Sequence, residues 1–123
     1  MPSEPVIVCA TQSLARAYWG GDPPFSFRGY VALLNGEVVG VGGAYRMHGR
    51  VWLFSGFRPE LRPYRKTRAK AVRMLIQLAD TYPEPVYAAP DKEEPTAMPL
   101  LTKLGFTPTG EEVDGDPVLV RTR

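Results

Sequence analysis

Residues Val31–Gly43 read VALLNGEVVGVGG, and this stretch carries the strongest local fold signal in the chain. The β-rich runs Tyr30–Leu34 and Val38–Tyr45 flank the pair Asn35-Gly36. Asn-Gly is the preferred pair for a type I′ turn, because both central residues of that turn need a positive φ. The stretch therefore predicts a β-hairpin.

The hairpin extends into a three-stranded antiparallel meander. A second turn at Met47–Arg50 leads into a further β-rich run, Val51–Phe57. Gly40, Gly42 and Gly43 weaken the middle strand, and glycines at such positions predict a bend or a close approach by another backbone.

Beyond Phe57 the apolar residues change from strand spacing to helix spacing. They recur at Ala69, Val72, Leu75 or Ile76, Ala79 and Tyr82. This period predicts a long helix from about Pro63 to Tyr82. Pro63 suits the first turn, where its missing N–H makes no difference, and Pro83 and Pro85 end the helix.

Short elements precede the meander. The apolar run Val6–Ala10 predicts a strand. A brief helix at Ser13–Trp19 follows it, with Thr11 or Ser13 as the N-cap residue.

After the long helix the sequence predicts a strand, a helix and two strands. They cover Val86–Ala89, Glu93–Leu104, Thr107–Val113 and Val118–Arg121. Gly105 suits the C′ position of the second helix, whereas Pro99 is expected to kink that helix. The strand after the long helix can run parallel to the strand before it, through a right-handed crossover.

This order of elements predicts an α+β fold, with a mixed, mostly antiparallel sheet and helices on both faces. The length of 123 residues predicts a single domain over residues 1–123. The 44% hydrophobic and 11% aromatic residues suffice for a core. That composition excludes a disordered chain, a collagen-like chain and a coiled coil.

The sequence also bears on the compartment of the protein. No apolar run approaches the roughly 18 residues that span a bilayer. The N-terminal residues MPSEPVIVCA lack the basic start and long apolar stretch of a signal peptide. A single cysteine, Cys9, allows no internal disulfide and no cysteine-based metal cluster. We therefore expect a cytoplasmic protein without a membrane partner.

Positive charge is concentrated in one segment. The formal net charge is only +2, but the segment Arg58–Arg73 sets seven basic residues against one acid, Glu60. The basic residues are Arg58, Arg62, Arg65, Lys66, Arg68, Lys70 and Arg73. Three interpretations remain open: a solvated helix face, a phosphate-binding cluster and a nucleic-acid patch. The weak overall charge and the lack of interleaved aromatic residues argue against nucleic acid.

Three segments together resemble the GNAT family of N-acyltransferases, which use acetyl-CoA. Residues 100–110, LLTKLGFTPTG, look like the family's late helix, which ends in a Leu-Gly-Phe turn. VALLNGEVVGVGG looks like the family's second and third strands. Residues 57–62, FRPELR, resemble the Pro-Glu-x-Arg that precedes the family's pyrophosphate loop. The resemblance covers roughly Arg28 to Gly110.

The resemblance implies a GNAT-like fold and an acetyl transfer. In such a fold the fourth and fifth strands splay apart, and the pantetheine arm of the cosubstrate acetyl-CoA lies in the gap. N–H groups at the start of the long helix then hold the pyrophosphate. A small-molecule or protein amine attacks the thioester directly. The cofactor-binding residues that the resemblance implies are Phe57, Arg58, Arg62, Arg65, Lys66, Thr67 and Arg68.

The chain departs from the family pattern in the pyrophosphate loop. The family loop reads Gln/Arg-x-x-Gly-x-Gly/Ala. With Arg62 in the first position, the glycine positions hold Arg65 and Thr67, and with Arg65 first they hold Arg68 and Lys70. These side chains crowd the approach of a phosphate to the backbone, but they add cationic groups that can clasp it directly.

The sequence names no catalytic acid or base. Aligned on Leu-Gly-Phe, the family's proton-donating tyrosine corresponds to Leu101, and Glu94 falls near the Asn that opens the same helix. Some members carry a general base in the strand that corresponds to Val51–Phe57, which here contains no carboxylate.

These departures are similar to those of a subset of GNAT-like proteins encoded by tailed bacteriophages. That weaker resemblance implies an alternative function, a catalytically degenerate structural or binding protein associated with the virion. Its partners would be virion proteins, and it would lie in the phage particle rather than the cytoplasm. Exposed sheet edges could also pair in a homodimer.

Five other residues have plain structural interpretations. We expect His48 to be a solvated turn residue and Cys9 to be a small core residue. Ser55 is interpreted as an ordinary strand serine, with a hydrogen bond to a substrate in the strand gap as the alternative. Tyr64 and Tyr87 are interpreted as packing residues, with proton donation as the alternative.

Overall fold

The computed structural model describes residues 4–90 and 96–122, which form seven strands, three α-helices and one 3₁₀-helix. The strands are β1 (Val6–Cys9), β2 (Arg28–Leu34), β3 (Glu37–Met47), β4 (Arg50–Phe57), β5 (Val86–Ala88), β6 (Thr107–Val113) and β7 (Asp116–Arg121). The α-helices are α1 (Gln12–Trp19), α2 (Arg65–Ala79) and α3 (Ala97–Lys103), and the 3₁₀-helix covers Pro59–Leu61.

The strands form one sheet in the order β1-β2-β3-β4-β5-β7-β6. Every neighbouring pair is antiparallel except β4 and β5, which run parallel. On one face, Val31 and Val41 pack with Leu14 of α1. On the other, Ala44 packs against Leu78 of α2. The predicted α+β fold, with a mostly antiparallel sheet and helices on both faces, is confirmed.

Three tight turns join neighbouring antiparallel strands. In each turn both central residues have a positive φ, as a type I′ turn requires. The pairs are Asn35 (52°) and Gly36 (81°), His48 (54°) and Gly49 (75°), and Asp114 (51°) and Gly115 (83°). The Asn-Gly hairpin and the second turn are therefore confirmed. The third turn is shorter than predicted, so its second strand begins at Asp116 and not at Val118.

Two glycines allow β2 and β3 to approach each other closely. A Cβ on Gly29 would lie 2.0 Å from the carbonyl oxygen of Gly42. A Cβ on Gly43 would lie 2.2 Å from the carbonyl oxygen of Arg28. Both contacts are with backbone atoms, so no change of side-chain rotamer could relieve them. The predicted close approach of another backbone is confirmed at Gly43.

Gly40 and Gly42 make room for the layer that covers β3. A Cβ on either glycine would lie 3.0 Å from a leucine side chain, that of Leu61 in the 3₁₀-helix or that of Leu75 in α2. The register of β2 and β3 also shifts between Ala32 and the next residue, opposite Gly40. Because a bulged strand bends, this shift agrees with the predicted bend.

The helix α2 is shorter than predicted at both ends. Pro63 lies before the first turn, because the preceding residues form the 3₁₀-helix. At the other end, Thr81 and Tyr82 donate backbone hydrogen bonds to Leu78 and Ala79, so the chain tightens into i→i+3 turns. In the part of the chain that the structure describes, no helix has the length and apolar character needed to cross a bilayer.

The helix α3 ends as predicted but starts later. Residues 91–95, where the prediction placed its beginning, lie outside the described residues. Pro99 falls in the first turn of the described helix, where its missing N–H has no intrahelical acceptor. The N-terminal half that Pro99 was expected to disturb begins in residues outside the described part of the chain. At the C-terminus Gly105 has a φ of 94°, and Phe106 N–H donates to the carbonyl of Leu101 at 3.0 Å. This arrangement is a Schellman cap, and Phe106 is buried beneath it.

The prediction that Cys9 is a core residue is wrong. Cys9 is exposed, because β1 is an edge strand and Cys9 is its last residue. The N-cap of the following helix is Thr11, whose hydroxyl accepts a hydrogen bond from the N–H of Leu14 at 3.2 Å.

Replacing Gly29 with alanine tests the close approach of β2 and β3. We expect Gly29→Ala to lower the free energy of unfolding by about 1–3 kcal/mol, because the new methyl group overlaps backbone atoms. Urea denaturation measures the change. Gly21→Ala is the matched control, since a Cβ on Gly21 meets no atom within 4 Å. Equal unfolding midpoints for the two variants would contradict the close approach.

Candidate functional site

The parallel pair β4–β5 opens after two residues. The two strands form two residue pairs, Val51 with Val86 and Trp52 with Tyr87. Beyond that point β4 continues to Phe57, whereas β5 ends after one more residue. Among the described residues, the edge of β4 that faces β5 therefore has no strand partner from residue 53 onward. Backbone groups on such an edge can hydrogen-bond a ligand.

A cleft of about 610 Å³ occupies this opening. Its walls include both Leu53 and Phe54. Successive side chains of a strand point to opposite faces: Leu53 packs with the core beneath α2, and Phe54 packs with the cluster beneath α1. The cleft therefore reaches both faces of the sheet. Its volume is within the usual range for ligand sites, about 300–1,000 Å³.

A second cavity, of about 340 Å³, lies between the sheet and the N-terminal half of α2. It shares several wall residues with the cleft, including Phe57, Val72 and Leu100. Arg65 and Arg68 of α2 also line it. The two cavities are therefore neighbouring parts of one site.

Cationic side chains converge at the α2 side of this site. The guanidinium carbons of Arg62 and Arg68 lie 5.8 Å and 5.6 Å from the ring centroid of Phe57. The Nε of Arg68 is buried, and no described residue offers it a hydrogen-bond partner. A buried donor without a partner is costly, so this atom fits an anionic or polar ligand.

The start of α2 adds backbone donors to these cations. Arg65 N–H donates to the carbonyl of Pro63, and Arg68 N–H donates to that of Tyr64. The N–H groups of Lys66 and Thr67 have no backbone acceptor among the described residues. The helix dipole places partial positive charge at this end, and the first turn contains no acidic residue. Free donors and positive potential together make an anion site.

Arg58, a predicted site residue, lies away from this group. One of its terminal nitrogens donates to the carbonyl of Tyr18 at 2.9 Å, and its guanidinium carbon lies 5.3 Å from the Tyr18 ring centroid. Burial raises the pKa of the Tyr18 hydroxyl, and the charge of Arg58 opposes that rise. Phe57 and Arg58 are successive residues, so they point to opposite faces of the sheet.

No protein-family model matches the chain, and no curated protein matches it in sequence. Solved structures do match it. An acetyltransferase of the GNAT family from Staphylococcus aureus aligns at 13% identity and a TM-score of 0.67, over 96% of this chain and 98% of that one. The ribosomal-protein-S18-alanine N-acetyltransferase from Escherichia coli aligns at 14% identity and a TM-score of 0.65, over 95% of this chain and 91% of that one. The chain has the GNAT fold.

A third structure, aminoglycoside acetyltransferase AAC(6′)-Ib in complex with coenzyme A, aligns at 20% identity and a TM-score of 0.63, over 98% of this chain and 95% of that one. At these identities the likeness establishes the GNAT fold, and the reaction has to be argued from the cleft itself.

Among the described residues at the cleft of this GNAT fold, few side chains can transfer a proton. Leu101 lines the cleft and packs against Phe106, so the position compared with the family tyrosine is apolar. Ser55 is exposed on the cleft wall. His48 is an exposed turn residue, as predicted, but it also lines the cleft. Tyr45 lines the cleft too, and burial raises the pKa of its hydroxyl, which stays protonated at neutral pH.

The tyrosines named from the sequence pack elsewhere. Tyr64 packs with Leu61 beneath the 3₁₀-helix, and the Tyr87 ring lies 5.7 Å from that of Trp52. Both are packing residues, as predicted. Met47 and Val113 also line the cleft, although no motif in the sequence marks them as site residues. Each is the last residue of a strand before a tight turn, and that position is the only sequence feature that could have indicated a place at the cleft.

An ion pair ties the β6–β7 hairpin to the start of β4. Arg50 donates two hydrogen bonds to the carboxylate of Glu111, at 2.8 Å and 3.0 Å. Its guanidinium carbon also lies 4.3 Å from the ring centroid of Tyr87. The hydrogen bonds from Arg50 hold the pKa of the Glu111 carboxyl below its ordinary value.

This pair predicts a pH dependence. Because the folded protein lowers the pKa of Glu111, the pair stabilises the hairpin above the ordinary glutamate pKa of about 4.3. That stabilisation is lost as the pH falls through the lowered value. We expect carbon-13 NMR to place the Glu111 titration below the ordinary midpoint, and Arg50→Gln to raise it.

Arg46→Gln is the control, since Arg46 pairs with a different carboxylate, that of Glu84. It should leave the Glu111 midpoint unchanged. A midpoint that does not respond to Arg50→Gln would mean that the Arg50–Glu111 pair does not form in solution.

Proposed function

We propose that the protein is an acetyl-CoA-dependent N-acyltransferase that transfers an acetyl group to an amine by direct attack. The observation that supports this most is the opening between β4 and β5, with cations gathered at one of its two mouths. Acetyl-CoA bound in this opening has its phosphates near the cations and its acetyl group near the opposite mouth of the cleft. Structures of a GNAT-fold neighbour contain coenzyme A or acetyl-CoA.

The phosphates of acetyl-CoA are held at the start of α2. Arg62, Arg65 and Arg68 supply guanidinium groups, and Lys66 and Thr67 supply backbone N–H groups. Side chains thus take over from the glycines of the family loop, since guanidinium forks bind phosphate oxygens with two parallel hydrogen bonds.

Arg58 is left out of this proposed cluster because its guanidinium is held at Tyr18. Phe57 stays in the cluster, because its ring lines the cleft and its centroid lies 5.8 Å and 5.6 Å from the guanidinium carbons of Arg62 and Arg68.

The transfer itself requires little chemistry from side chains. The pantetheine arm lies extended beside β4, where backbone groups of residues 53–57 without a strand partner can hydrogen-bond it. The amine nitrogen bonds to the acetyl carbon, the carbon–sulfur bond breaks, and its electron pair goes to sulfur. The amine loses one proton and the thiolate gains one, so the step balances. A neutral amine needs orientation more than a strong base.

The acceptor is a small-molecule or protein amine. GNAT-fold neighbours include a ribosomal-protein-S18-alanine N-acetyltransferase and an aminoglycoside acetyltransferase, so the fold hosts both kinds.

A catalytically degenerate binding protein is the second candidate, including one that works in a phage particle. Leu101 favours it, because this side chain cannot protonate a departing thiolate. Among the described residues, the walls of both cavities contain no carboxylate. Such a protein binds a partner through the same surface but releases no free thiol from acetyl-CoA.

Titration of acetyl-CoA into the protein tests the proposal. We expect isothermal titration calorimetry to give a Kd of about micromolar size. The double variant Arg65→Ala/Arg68→Ala should raise that Kd at least about a hundredfold, because each charge-assisted hydrogen bond contributes about 1.5 kcal/mol or more. Thermal unfolding should show that the variant stays folded.

The control removes the same charge from the exposed side of the same helix. Lys70 and Arg73 are exposed and line neither cavity. Lys70→Ala/Arg73→Ala should change the Kd by less than about threefold at physiological salt, because screening weakens distant charges. Equal losses in the two double variants would contradict the assigned cluster. No heat at millimolar acetyl-CoA would favour the binding protein instead.

A further inference from the structure

The N-terminal half of α2 leaves a space above the sheet. The buried residues of this helix are Leu75, Leu78 and Ala79, all in its C-terminal half. Below the other half, Ser55 and Phe57 are exposed, although they belong to the central strand β4 and lie under the helix. This space is the second cavity, of about 340 Å³. Protein interiors are normally close-packed, so a cavity of this size can hold a ligand.

Small and apolar residues form most of the second cavity. Gly40 and Gly42 place no side chains on its floor along β3, and Ala69 of α2 lies in its roof. Among the described wall residues the charged ones are Arg65 and Arg68, both at the start of α2. Away from that end, the walls therefore favour an apolar ligand.

The second cavity is long. It extends from Ser55 on β4 to Ile7 on the edge strand β1. Two strands lie between β1 and β4, so at the usual strand spacing the cavity crosses about 14 Å of sheet. Ile7 is paired with Ala32, and both residues line the cavity. An acetyl group would fill only a small part of this length.

The second cavity joins the cleft beside β4. Ser55, Val72 and Leu75 line both of them. In the proposed function the thioester lies in the cleft beside β4, so an acyl chain that passes Ser55 enters the second cavity directly. The amine attacks the carbonyl carbon from above or below the plane of the thioester. The amine and the acyl chain can therefore lie on different sides of the sheet.

We infer that the acyl donor carries a linear saturated chain longer than acetyl, which lies between α2 and the sheet and points towards Ile7. This inference rests on the proposed function, because the chain enters the cavity from the thioester of a bound acyl-CoA. The amine nitrogen still bonds to the carbonyl carbon, the carbon–sulfur bond breaks with its electron pair going to sulfur, and the proton lost by the amine ends on the thiol. Each methylene group that leaves water for the cavity favours binding, so affinity rises with chain length until the chain meets β1.

Isothermal titration calorimetry with acetyl-CoA, octanoyl-CoA and sodium octanoate tests the inference. We expect octanoyl-CoA to bind at least about tenfold more tightly than acetyl-CoA, because its longer chain is buried in apolar surroundings. Octanoate should bind more weakly than octanoyl-CoA, because it lacks the phosphates that the basic residues at the start of α2 bind.

Filling the second cavity should remove the preference for the longer chain. Ala69 lines this cavity but not the cleft, so Ala69→Phe should weaken octanoyl-CoA binding at least about tenfold and change the Kd of acetyl-CoA less than about threefold. Gln77→Phe is the matched control, since Gln77 is exposed on the same helix and lines neither cavity. It should leave both affinities unchanged. Thermal unfolding checks that both variants are folded.

A variant at the far end of the cavity tests the position of the chain. Ile7→Ala lengthens the cavity at β1 and should raise the affinity for decanoyl-CoA relative to octanoyl-CoA at least about threefold. Val8→Ala is the control, because Val8 is the next residue of β1 but packs on the opposite face of the sheet with Val31. It should leave the ratio of the two affinities unchanged.

The outcomes separate this inference from the proposed function. Equal affinities for acetyl-CoA and octanoyl-CoA would overturn the inference and leave the acyltransferase intact. Octanoate binding as tightly as octanoyl-CoA would also overturn it, because the chain would then arrive as a free acid. Octanoate binding that Ala69→Phe weakens, with no binding of either thioester, would overturn the acyltransferase but support the chain in the cavity. Equal effects of Ala69→Phe and Gln77→Phe would overturn the position under α2.

Discussion

The early separation of β4 from β5 is the constraint on which the site depends. β5 is only three residues long, and it pairs with β4 at two positions, the last of which is Trp52. Pro85 and Pro90, close to its two ends, lack the N–H that a longer ladder would need. Within the described part of the chain, the edge of β4 beyond Trp52 has no strand partner, and its backbone groups need other hydrogen-bond partners. The cleft and its two mouths follow from this interruption of the sheet, whereas the second cavity lies between the sheet and α2.

The residues at the start of α2 destabilise the helix. Arg65, Lys66 and Arg68 put positive charge where the helix dipole is already positive, and Tyr64 provides no side-chain cap. Natural sequences break such local rules mainly at functional sites. An anion bound there would remove the repulsion and satisfy the buried Nε of Arg68. The same residues thus weaken the isolated helix, and their positive charge is the basis of the proposed phosphate site.

Strand alternation divides the site into two chemically different sides. Phe57 faces the cations of α2, whereas its neighbour Arg58 crosses the sheet to the carbonyl of Tyr18. Likewise Leu53 contributes to the core under α2 and Phe54 to the aromatic cluster under α1. Charge is gathered on one side of the sheet and aromatic surface on the other. A substrate that passes through the gap therefore meets both.

The sequence by itself determined the order of the elements, the turn at Asn35-Gly36 and the cap at Gly105, because these signals act over a few residues of chain. It also identified most of the basic cluster, since those residues are close together in sequence. Only the tertiary structure decided that Arg58 leaves the cluster and that Cys9 is exposed. It also brought Val113 to the cleft. Each of these outcomes depends on which strands are neighbours and which face a residue occupies, and contacts between distant segments set both.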